Sequence, residues 1–154
     1  MEMSGEARIA AEPDAVWSAL TDPAVLCRLI SGCESMTGDP ERGYDITVAQ
    51  GVGTMRARLS GRLDLTEVAP GRGCLIHAEG RGGAAGLAAG TARIRFLPEI
   101  AGTRLTYEVE ARLGGRLARV PGFVVKAVAR RMVDAFFARF AEVVESAPPR
   151  RAAR

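Results

Sequence analysis

Few residues in the sequence could carry out acid, base, nucleophilic or metal chemistry, and their positions keep them apart. His77 is the single histidine, and it falls on the polar side of an alternating stretch. A serine or cysteine nucleophile would need this histidine as its base, and the sequence places none beside it. The three cysteines, Cys27, Cys33 and Cys74, have no metal-ligand spacing. We therefore expect free thiols in a reducing compartment, no metal site and a protein that is not an enzyme.

The carboxylates are also unsuited to paired acid and base catalysis. Strand alternation directs them to the outside of the predicted sheet, as for Asp45, Asp64, Glu79, Glu108 and Glu110. Such catalysis needs two carboxyl groups that face one substrate. The pattern predicts no such pair.

The stretch at residues 80–90 is rich in glycine and alanine. It lacks the Lys-Ser or Lys-Thr that follows the glycines of a phosphate-binding loop, so we expect no nucleotide site. Glycines at this density in a sheet are typical of a bend or a bulge. The second interpretation is that these small residues leave room for a ligand beneath a helix.

Positive charge is concentrated near the C-terminus. The formal net charge is +3, and residues 116–139 contain six Arg or Lys against a single acid, Asp134. Arg119, Lys126 and Arg130 are spaced seven and four apart, so we predict that they share one helix face and contact a membrane or an acidic partner. The alternative is a solvated helix face. Nucleic acid is not expected, because no aromatic residues interleave with the arginines.

The elements that would position these residues are several strands and one long helix. Apolar residues at steps of three and four predict an amphipathic helix over residues 116–146. Its predicted apolar stripe contains Phe123, Val124, Ala127, Val128, Met132, Ala135, Phe136, Phe140, Val143 and Val144. Alternation predicts strands at residues 3–9, 44–52, 55–66, 74–80, 88–96 and 105–113. Two short helices begin at Pro13 and Pro23, after the first strand.

The connections between the strands are short, which favours antiparallel pairing. The predicted fold class is α+β, an antiparallel curved sheet of about six to seven strands wrapped on one long C-terminal helix. We place one domain at residues 1–146 and a disordered basic tail at 147–154. The N-terminus lacks the pattern of a signal peptide, and no stretch reaches the roughly 20 apolar residues of a membrane span. We expect a cytoplasmic protein, peripheral to the inner face of the cell membrane.

The inner faces of the sheet and the helix are predicted to be apolar and poor in bulky side chains, since aromatic residues make up only 5% of the chain. This pattern favours a cavity for a hydrophobic small molecule, and a solid core is the alternative. The predicted lining consists of Met55, Ala57, Leu59, Ile76, Ala78, Gly83, Ala84, Ala85, Gly86, Leu87, Ala88, Ile94, Tyr107, Phe123, Val128, Met132 and Phe136.

Several segments resemble the CoxG family of carbon monoxide dehydrogenase subunits, within the START-like helix-grip superfamily (SRPBCC). They include Ser-Gly-Cys-Glu-Ser at residues 31–35 and Gly-Arg-Gly-Gly-Ala-Ala-Gly-Leu-Ala-Ala-Gly at residues 80–90. The others lie at residues 11–20, 22–26, 52–61, 105–109 and 114–118. Family members commonly have Pro-Gly-Cys-Glu where this chain has Ser31, and some carry a longer C-terminal extension that contacts membranes.

The resemblance implies a helix-grip fold and a non-catalytic partner of a molybdenum carbon monoxide dehydrogenase or related hydroxylase. It further implies recruitment of that enzyme to the membrane and a cavity that binds an isoprenoid quinone, menaquinone or ubiquinone, or a similar lipid, with no covalent cofactor. Two other hypotheses stay open. One is an adaptor that docks the enzyme through a basic surface without a ligand, and the other is a polyketide cyclase-like enzyme, which the same superfamily contains.

Overall fold

The computed structural model describes residues 1–146, so the predicted tail at 147–154 lies outside the described residues. Two single-turn 3₁₀ segments occur at Gly83–Ala85 and Gly115–Arg119. The other elements are β1 (Glu2–Ile9), α1 (Pro13–Leu20), α2 (Pro23–Leu29), β2 (Cys33–Asp39), β3 (Gly43–Val52), β4 (Met55–Ala69), β5 (Gly73–Arg81), β6 (Leu87–Glu99), β7 (Gly102–Gly114) and α3 (Gly122–Ser146).

The strands form one seven-stranded sheet in the order β1-β7-β6-β5-β4-β3-β2. Every neighbouring pair is antiparallel. Tight connections join β2 through β7 in sequence, as antiparallel neighbours allow. The segment containing α1 and α2 crosses from β1 at one edge to β2 at the other. The predicted fold class, a curved antiparallel sheet with a long C-terminal helix, is confirmed.

Alternation along the strands gives the sheet an apolar concave face and a charged convex face. In β4, Ala57 is buried while its neighbours Arg56 and Arg58 are exposed. The convex face carries ion pairs such as those from Arg62 to Asp45 (3.1 Å) and Asp64 (3.0 Å). Such exposed pairs contribute little to stability, so the concave face against α3 holds the fold together.

Three clusters of buried residues pack this concave side. The main core joins the C-terminal half of α3 to α1 and the sheet, and its buried residues are Met3, Ile9, Val16, Leu29, Cys74, Ile94, Phe96, Leu105, Tyr107, Phe140 and Val144. The second cluster lies at the other end of α3 and contains Val52, Ala57, Ala85 and Leu117. The third cluster joins α2 to β2 and β3 through Leu26, Met36 and Tyr44.

Tyr44 ties the third cluster to the turn between α1 and α2. Its ring is 2% exposed, and its hydroxyl donates a 2.7 Å hydrogen bond to the carbonyl of Thr21. Burial raises the pKa of Tyr44 to about 12, so the phenol stays protonated. On the other side of this turn, Asp22 caps α2 by accepting a 2.9 Å hydrogen bond from the amide of Ala24. The Tyr44 bond holds the turn between α1 and α2 against β3, and the Asp22 cap orders the first turn of α2.

Two boundaries differ from the sequence prediction. Strand β2 was not predicted as a separate element, because only Met36 in it is buried and no alternating pattern marks it. The long helix was predicted from residue 116, but α3 begins at Gly122, directly after Pro121. Proline is disfavoured inside a helix and is tolerated in its first turn, so the preceding residues form a separate 3₁₀ turn instead.

Glycines on two central strands allow the backbones to approach closely. A Cβ on Gly61 would overlap the carbonyl oxygen of Glu79, and one on Gly90 would overlap the carbonyl oxygen of Glu110. Backbone atoms of a paired strand cannot move aside as a flexible side chain can. These glycines therefore permit a close approach between the paired strands.

We expect Gly61→Ala to lower the free energy of unfolding by about 1–3 kcal/mol, because the new methyl group must displace strand β5. Urea unfolding measures the change. Gly51→Ala is the matched control on β3, since no atom lies within 4 Å of its added Cβ. It should alter stability by less than about 0.5 kcal/mol. Equal losses in the two variants would contradict the close-approach argument.

Candidate ligand-binding site

Small residues from adjacent strands meet at the middle of the concave face. Gly61 of β4 pairs with Gly80 of β5. One step along the sheet, Ala78 pairs with Gly90 of β6, which pairs with Ala111 of β7. Paired residues share a face of the sheet, so these five positions leave the middle of the concave face almost without side-chain bulk.

Met132 lies on the part of α3 between the packed clusters. It is four residues after Val128, which packs in the second cluster, and four before Phe136, which packs in the main and third clusters. This spacing puts the three side chains on one ridge of the helix. Met132 itself is half-buried and belongs to none of the three clusters. Its side chain is therefore outside the packed clusters, although Ala129 and Val133 beside it pack in the main core.

We call Val48, Gly61, Ala78, Gly80, Gly90, Ala111 and Met132 the central patch. All seven are half-buried, and its four residues with side chains belong to none of the three clusters. In a filled two-layer interior, the middle of the apolar face would be the most buried part. Small side chains on the sheet, together with a helix residue that lies outside the clusters, favour room for a guest between the sheet and α3 at this point.

A cation of α3 is bonded to side-chain and backbone oxygens at the β1 edge of the sheet. The half-buried Arg130 of α3 donates one hydrogen bond to the Tyr107 hydroxyl and one to the carbonyl of Ser4, each of 2.9 Å. The Tyr107 ring stacks on Phe137, with ring centroids 5.6 Å apart. The guanidinium thus links α3 to the edge strand β1. Because it is directed at these two partners, it adds no charge to the central patch.

Comparison with known proteins identifies a family for this chain. The sequence from residue 5 to residue 145 matches the family of carbon monoxide dehydrogenase subunits described as CoxG. The chain belongs to the CoxG family. Membership together with the helix-grip fold suggests a carbon monoxide dehydrogenase-associated binding protein, and the family is one of accessory subunits. Comparison with curated proteins gives no match.

Solved structures share the fold of this CoxG chain. A conserved protein from Geobacillus kaustophilus is 24% identical, with a TM-score of 0.86, coverage of 94% of this chain and 95% of its own. The Zhui aromatase/cyclase from Streptomyces sp. R1128 is 17% identical, with a TM-score of 0.64 and coverage of 94% and 93%. Identities this low establish the fold only, and the proteins that share it include an aromatase/cyclase.

The structure separates the residues predicted to line a cavity into groups. Ala78 and Met132 lie in the central patch. Six residues pack in the second cluster, at one end of the patch: Met55, Ala57, Leu59, Ala85, Ala88 and Val128. Four pack in the main core, at the other end: Ile76, Ile94, Tyr107 and Phe136. These ten residues therefore pack in the two clusters and do not lie in the central patch.

The remaining predicted lining residues lie elsewhere. Gly83 and Ala84 are exposed in the 3₁₀ turn between β5 and β6. Gly86 packs backbone to backbone, since an added Cβ would overlap the carbonyl oxygen of Gly114. Two assignments are wrong. Leu87 pairs with Arg81 and therefore lies on the convex face, and Phe123 is 79% exposed.

The predicted basic face of Arg119, Lys126 and Arg130 is also corrected. Arg119 lies in the 3₁₀ turn before α3, so the helical spacing does not apply to it. Arg130 points to Tyr107 and is not a free surface cation. Lys126 and Arg130 line an open groove of about 640 Å³ at the β1 edge, together with acidic residues including Glu2. The three side chains form no single basic surface.

The residues that sequence reasoning missed in the central patch are Val48, Gly61, Gly90 and Ala111. Each sits at an inward position of its strand, so alternation combined with the pairing register could have found them. An open groove of about 550 Å³ also reaches Gly61, Ala78 and Gly90, but most of its lining, such as His77 and Glu79, belongs to the convex face. Interior space is therefore inferred from the packing around the patch.

The chemistry predicted to be missing can be examined in residues 1–146. His77 is exposed on the convex face, with its Nε2 2.9 Å from the hydroxyl of Thr66. Within this described part, no group of three His, Cys, Asp or Glu side chains is arranged to hold a metal ion. Over the same residues, no helix has both the length and the hydrophobicity to cross a bilayer.

Proposed function

We propose that this CoxG family member binds a hydrophobic molecule, an isoprenoid quinone or similar lipid, between the sheet and α3. In this role it serves a molybdenum carbon monoxide dehydrogenase-type enzyme at the membrane. The observation that carries the proposal is the central patch, where small residues of four adjacent strands form the middle of the concave face and Met132 of α3 belongs to none of the packed clusters. The family match supports the enzyme partner.

The chemistry of the patch favours a flat or flexible apolar guest. Glycine and alanine leave backbone and methyl groups as the contact surface, and Met132 adds an adaptable thioether. Pockets of this kind bind a ligand because its apolar surface is removed from water and its shape fits the pocket, with few polar contacts. A quinone ring with an isoprenoid tail meets these requirements. Arg130 and Tyr107, at the margin, are the nearest described candidates to contact its carbonyl oxygens.

The test is a binding measurement on the full chain. Purified protein is mixed with menaquinone carrying a short isoprenoid tail, and thermal unfolding and native mass spectrometry are recorded. At a ligand concentration about 100-fold above the dissociation constant, the folded state should gain about 2.7 kcal/mol and the midpoint should rise. A protein that stays empty in the spectrum and shows no shift would overturn the proposal.

Ionic strength separates interior binding from surface attraction. An uncharged guest in an apolar space should bind equally well at low and high salt, because screening acts on charges. Binding that disappears at high salt would indicate that the probe associates with surface arginines. It would count against the interior site.

A second candidate function, docking on an anionic membrane, has its own supporting observation. Phe123 is 79% exposed at the start of α3, and it lies between the exposed cations Arg119 and Lys126. An exposed aromatic ring flanked by cations is typical of peripheral membrane contacts, where the ring enters the interface and the cations meet anionic headgroups. This surface would operate with or without an interior ligand.

We expect the triple variant Arg119→Glu, Phe123→Ser, Lys126→Glu to lose binding to phosphatidylglycerol vesicles by about tenfold or more, since each cation near such a surface contributes about 1 kcal/mol. Vesicle sedimentation measures the bound fraction. Arg139→Glu is the control, because it reverses an exposed charge near the other end of the same helix. Equal binding by the triple variant and the native chain would exclude this surface.

A further inference from the structure

Two of the three cysteines face each other across the junction of α2 and β2. Cys27 lies in α2 and Cys33 begins β2, and their sulfur atoms are 2.9 Å apart. Both thiols are free and half-buried. The third cysteine, Cys74, is buried in the main core and is 4% exposed. The close pair plays no part in the proposed ligand site.

A bulge in β2 turns Cys33 toward its partner. Cys33 pairs with Val48 and Ser35 pairs with Thr47, so Glu34 is an extra residue in the strand. In a regular strand, Cys33 and the buried Met36 would lie on opposite faces, because they are three residues apart. The bulge brings both onto the face that packs against α2. Glu34 instead points to solvent and forms a 2.8 Å ion pair with Arg58.

The helix that carries Cys27 is held in place independently of the thiols. Leu26 and Leu29 are buried, and the amide of Ile30 donates a 2.8 Å hydrogen bond to the carbonyl of Leu26. The amide of Cys33 donates to the carbonyl of Ile30 at 3.1 Å. The short connection is therefore ordered by its own backbone bonds, and it presents both sulfurs at a fixed separation.

We infer that Cys27 and Cys33 form a reversible intramolecular disulfide that covalently joins α2 to the edge strand β2. A disulfide bond is about 2.05 Å long, so the two sulfurs need to approach by less than about 1 Å. The partial exposure of both thiols admits a small oxidant. The site is thus a redox modification site, and it does not depend on what binds under α3.

The chemistry is thiol-disulfide exchange with a low-molecular-weight disulfide such as oxidised glutathione. One cysteine thiolate attacks this disulfide, which forms a mixed disulfide and releases one glutathione thiolate. The second cysteine then attacks the protein sulfur of the mixed disulfide and releases the second glutathione. The two protein thiols lose two electrons and two protons, and the released glutathione molecules take up both.

Burial, together with the hydrogen bond that the Cys33 thiol shares with Cys27, raises the pKa of Cys33 to about 12. At neutral pH this cysteine is therefore almost entirely a thiol. Because exchange requires a thiolate, we expect the pair to oxidise over a measurable time and not instantaneously.

The test treats the full chain with oxidised glutathione and records its intact mass. The expected product has lost two hydrogen atoms, carries no glutathione and returns to the starting mass with dithiothreitol. Trypsin can cut after Arg28, which lies between the two cysteines in the sequence. The oxidised chain should therefore release residues 9–28 and 29–42 as one disulfide-linked pair of peptides.

Single variants supply the controls. Cys27→Ser and Cys33→Ser should each keep one glutathione on the remaining member of the pair, because the second attack is lost. Cys74→Ser should still form the linked peptides. Separate glutathione adducts on Cys27 and Cys33, covalent dimers, or two thiols that stay reduced in the native chain would each overturn the inference.

Discussion

Replacement of Phe140 by alanine is expected to lower the free energy of unfolding by about 3–5 kcal/mol, the range for removal of a fully buried aromatic ring. Phe140 is 0% exposed. Its ring stacks on Phe136 at 5.6 Å and meets Phe137 edge to face at 6.4 Å. Because small domains are stable by only about 5–15 kcal/mol, this one substitution should remove a large part of the total.

Urea unfolding followed by circular dichroism gives the comparison, and Val143→Ala is the control. Val143 is on the same helix, three residues away, but it is 36% exposed. Its truncation should cost less than about 1 kcal/mol. Similar losses for Phe140→Ala and Val143→Ala would mean that the C-terminal half of α3 is not the main attachment of the helix to the sheet.

The architecture could be predicted because local patterns and chain connectivity agree. Strand β4 has the clearest alternation in the chain, with half-buried or buried residues at every second position from Met55 to Leu65. Short connections then leave antiparallel pairing as the simplest arrangement for β3 through β7. The same reasoning predicted α1 and α2 from Pro13 and Pro23, which stand at the starts of these helices.

The helix boundary could have been read more accurately from Pro121. The prediction followed apolar spacing through this residue, although proline interrupts a helix interior. Because the helix was predicted to start too early, the wrong residues of its first turns were assigned to the inward face. Steps of four from Phe140 lead through Met132 to Val124, one residue past Phe123. Phe123 was therefore predicted to be inside, and the structure exposes it.

The site was harder to predict than the fold because it depends on contacts between distant segments. The hydrogen bond from Arg130 to Tyr107 joins residues 23 positions apart, and the local sequence around each residue does not indicate this bond. Which apolar residues fill the clusters and which leave space depends on the pairing register. Composition indicated that small residues were abundant, but only the register brings Gly61, Ala78, Gly90 and Ala111 together.

The arrangement of clusters relates stability to the proposed binding. The main core holds the C-terminal half of α3 and the second cluster holds its N-terminal half. If the middle of the interface is open, as the proposed function requires, these two clusters can still hold the helix in place. A ligand that enters there would add contacts along Met132 without displacing packed side chains, so an enlarged residue at this point should affect binding far more than folding.

Ala78→Phe is the substitution that tests this separation, and we expect it to abolish menaquinone binding. Ala78 is half-buried at the middle of the concave face, where its neighbour on β6 is Gly90, so a phenyl ring would occupy the space proposed for the ligand. Loss of the thermal shift and of the bound mass in native spectra would record the effect. Because the ring enters unfilled space, the unfolding midpoint of the empty protein should change little.

The matched control for Ala78→Phe is Ala89→Phe on β6. Ala89 pairs with Glu79 and Arg112, so its side chain lies on the convex face, one residue from the central patch but on the other side of the sheet. This variant should bind menaquinone like the native chain. If Ala78→Phe folds and still binds with native affinity, the ligand does not occupy the central patch. If both variants lose binding equally, the loss arises from a general disturbance of the sheet, since the two new rings point to opposite faces.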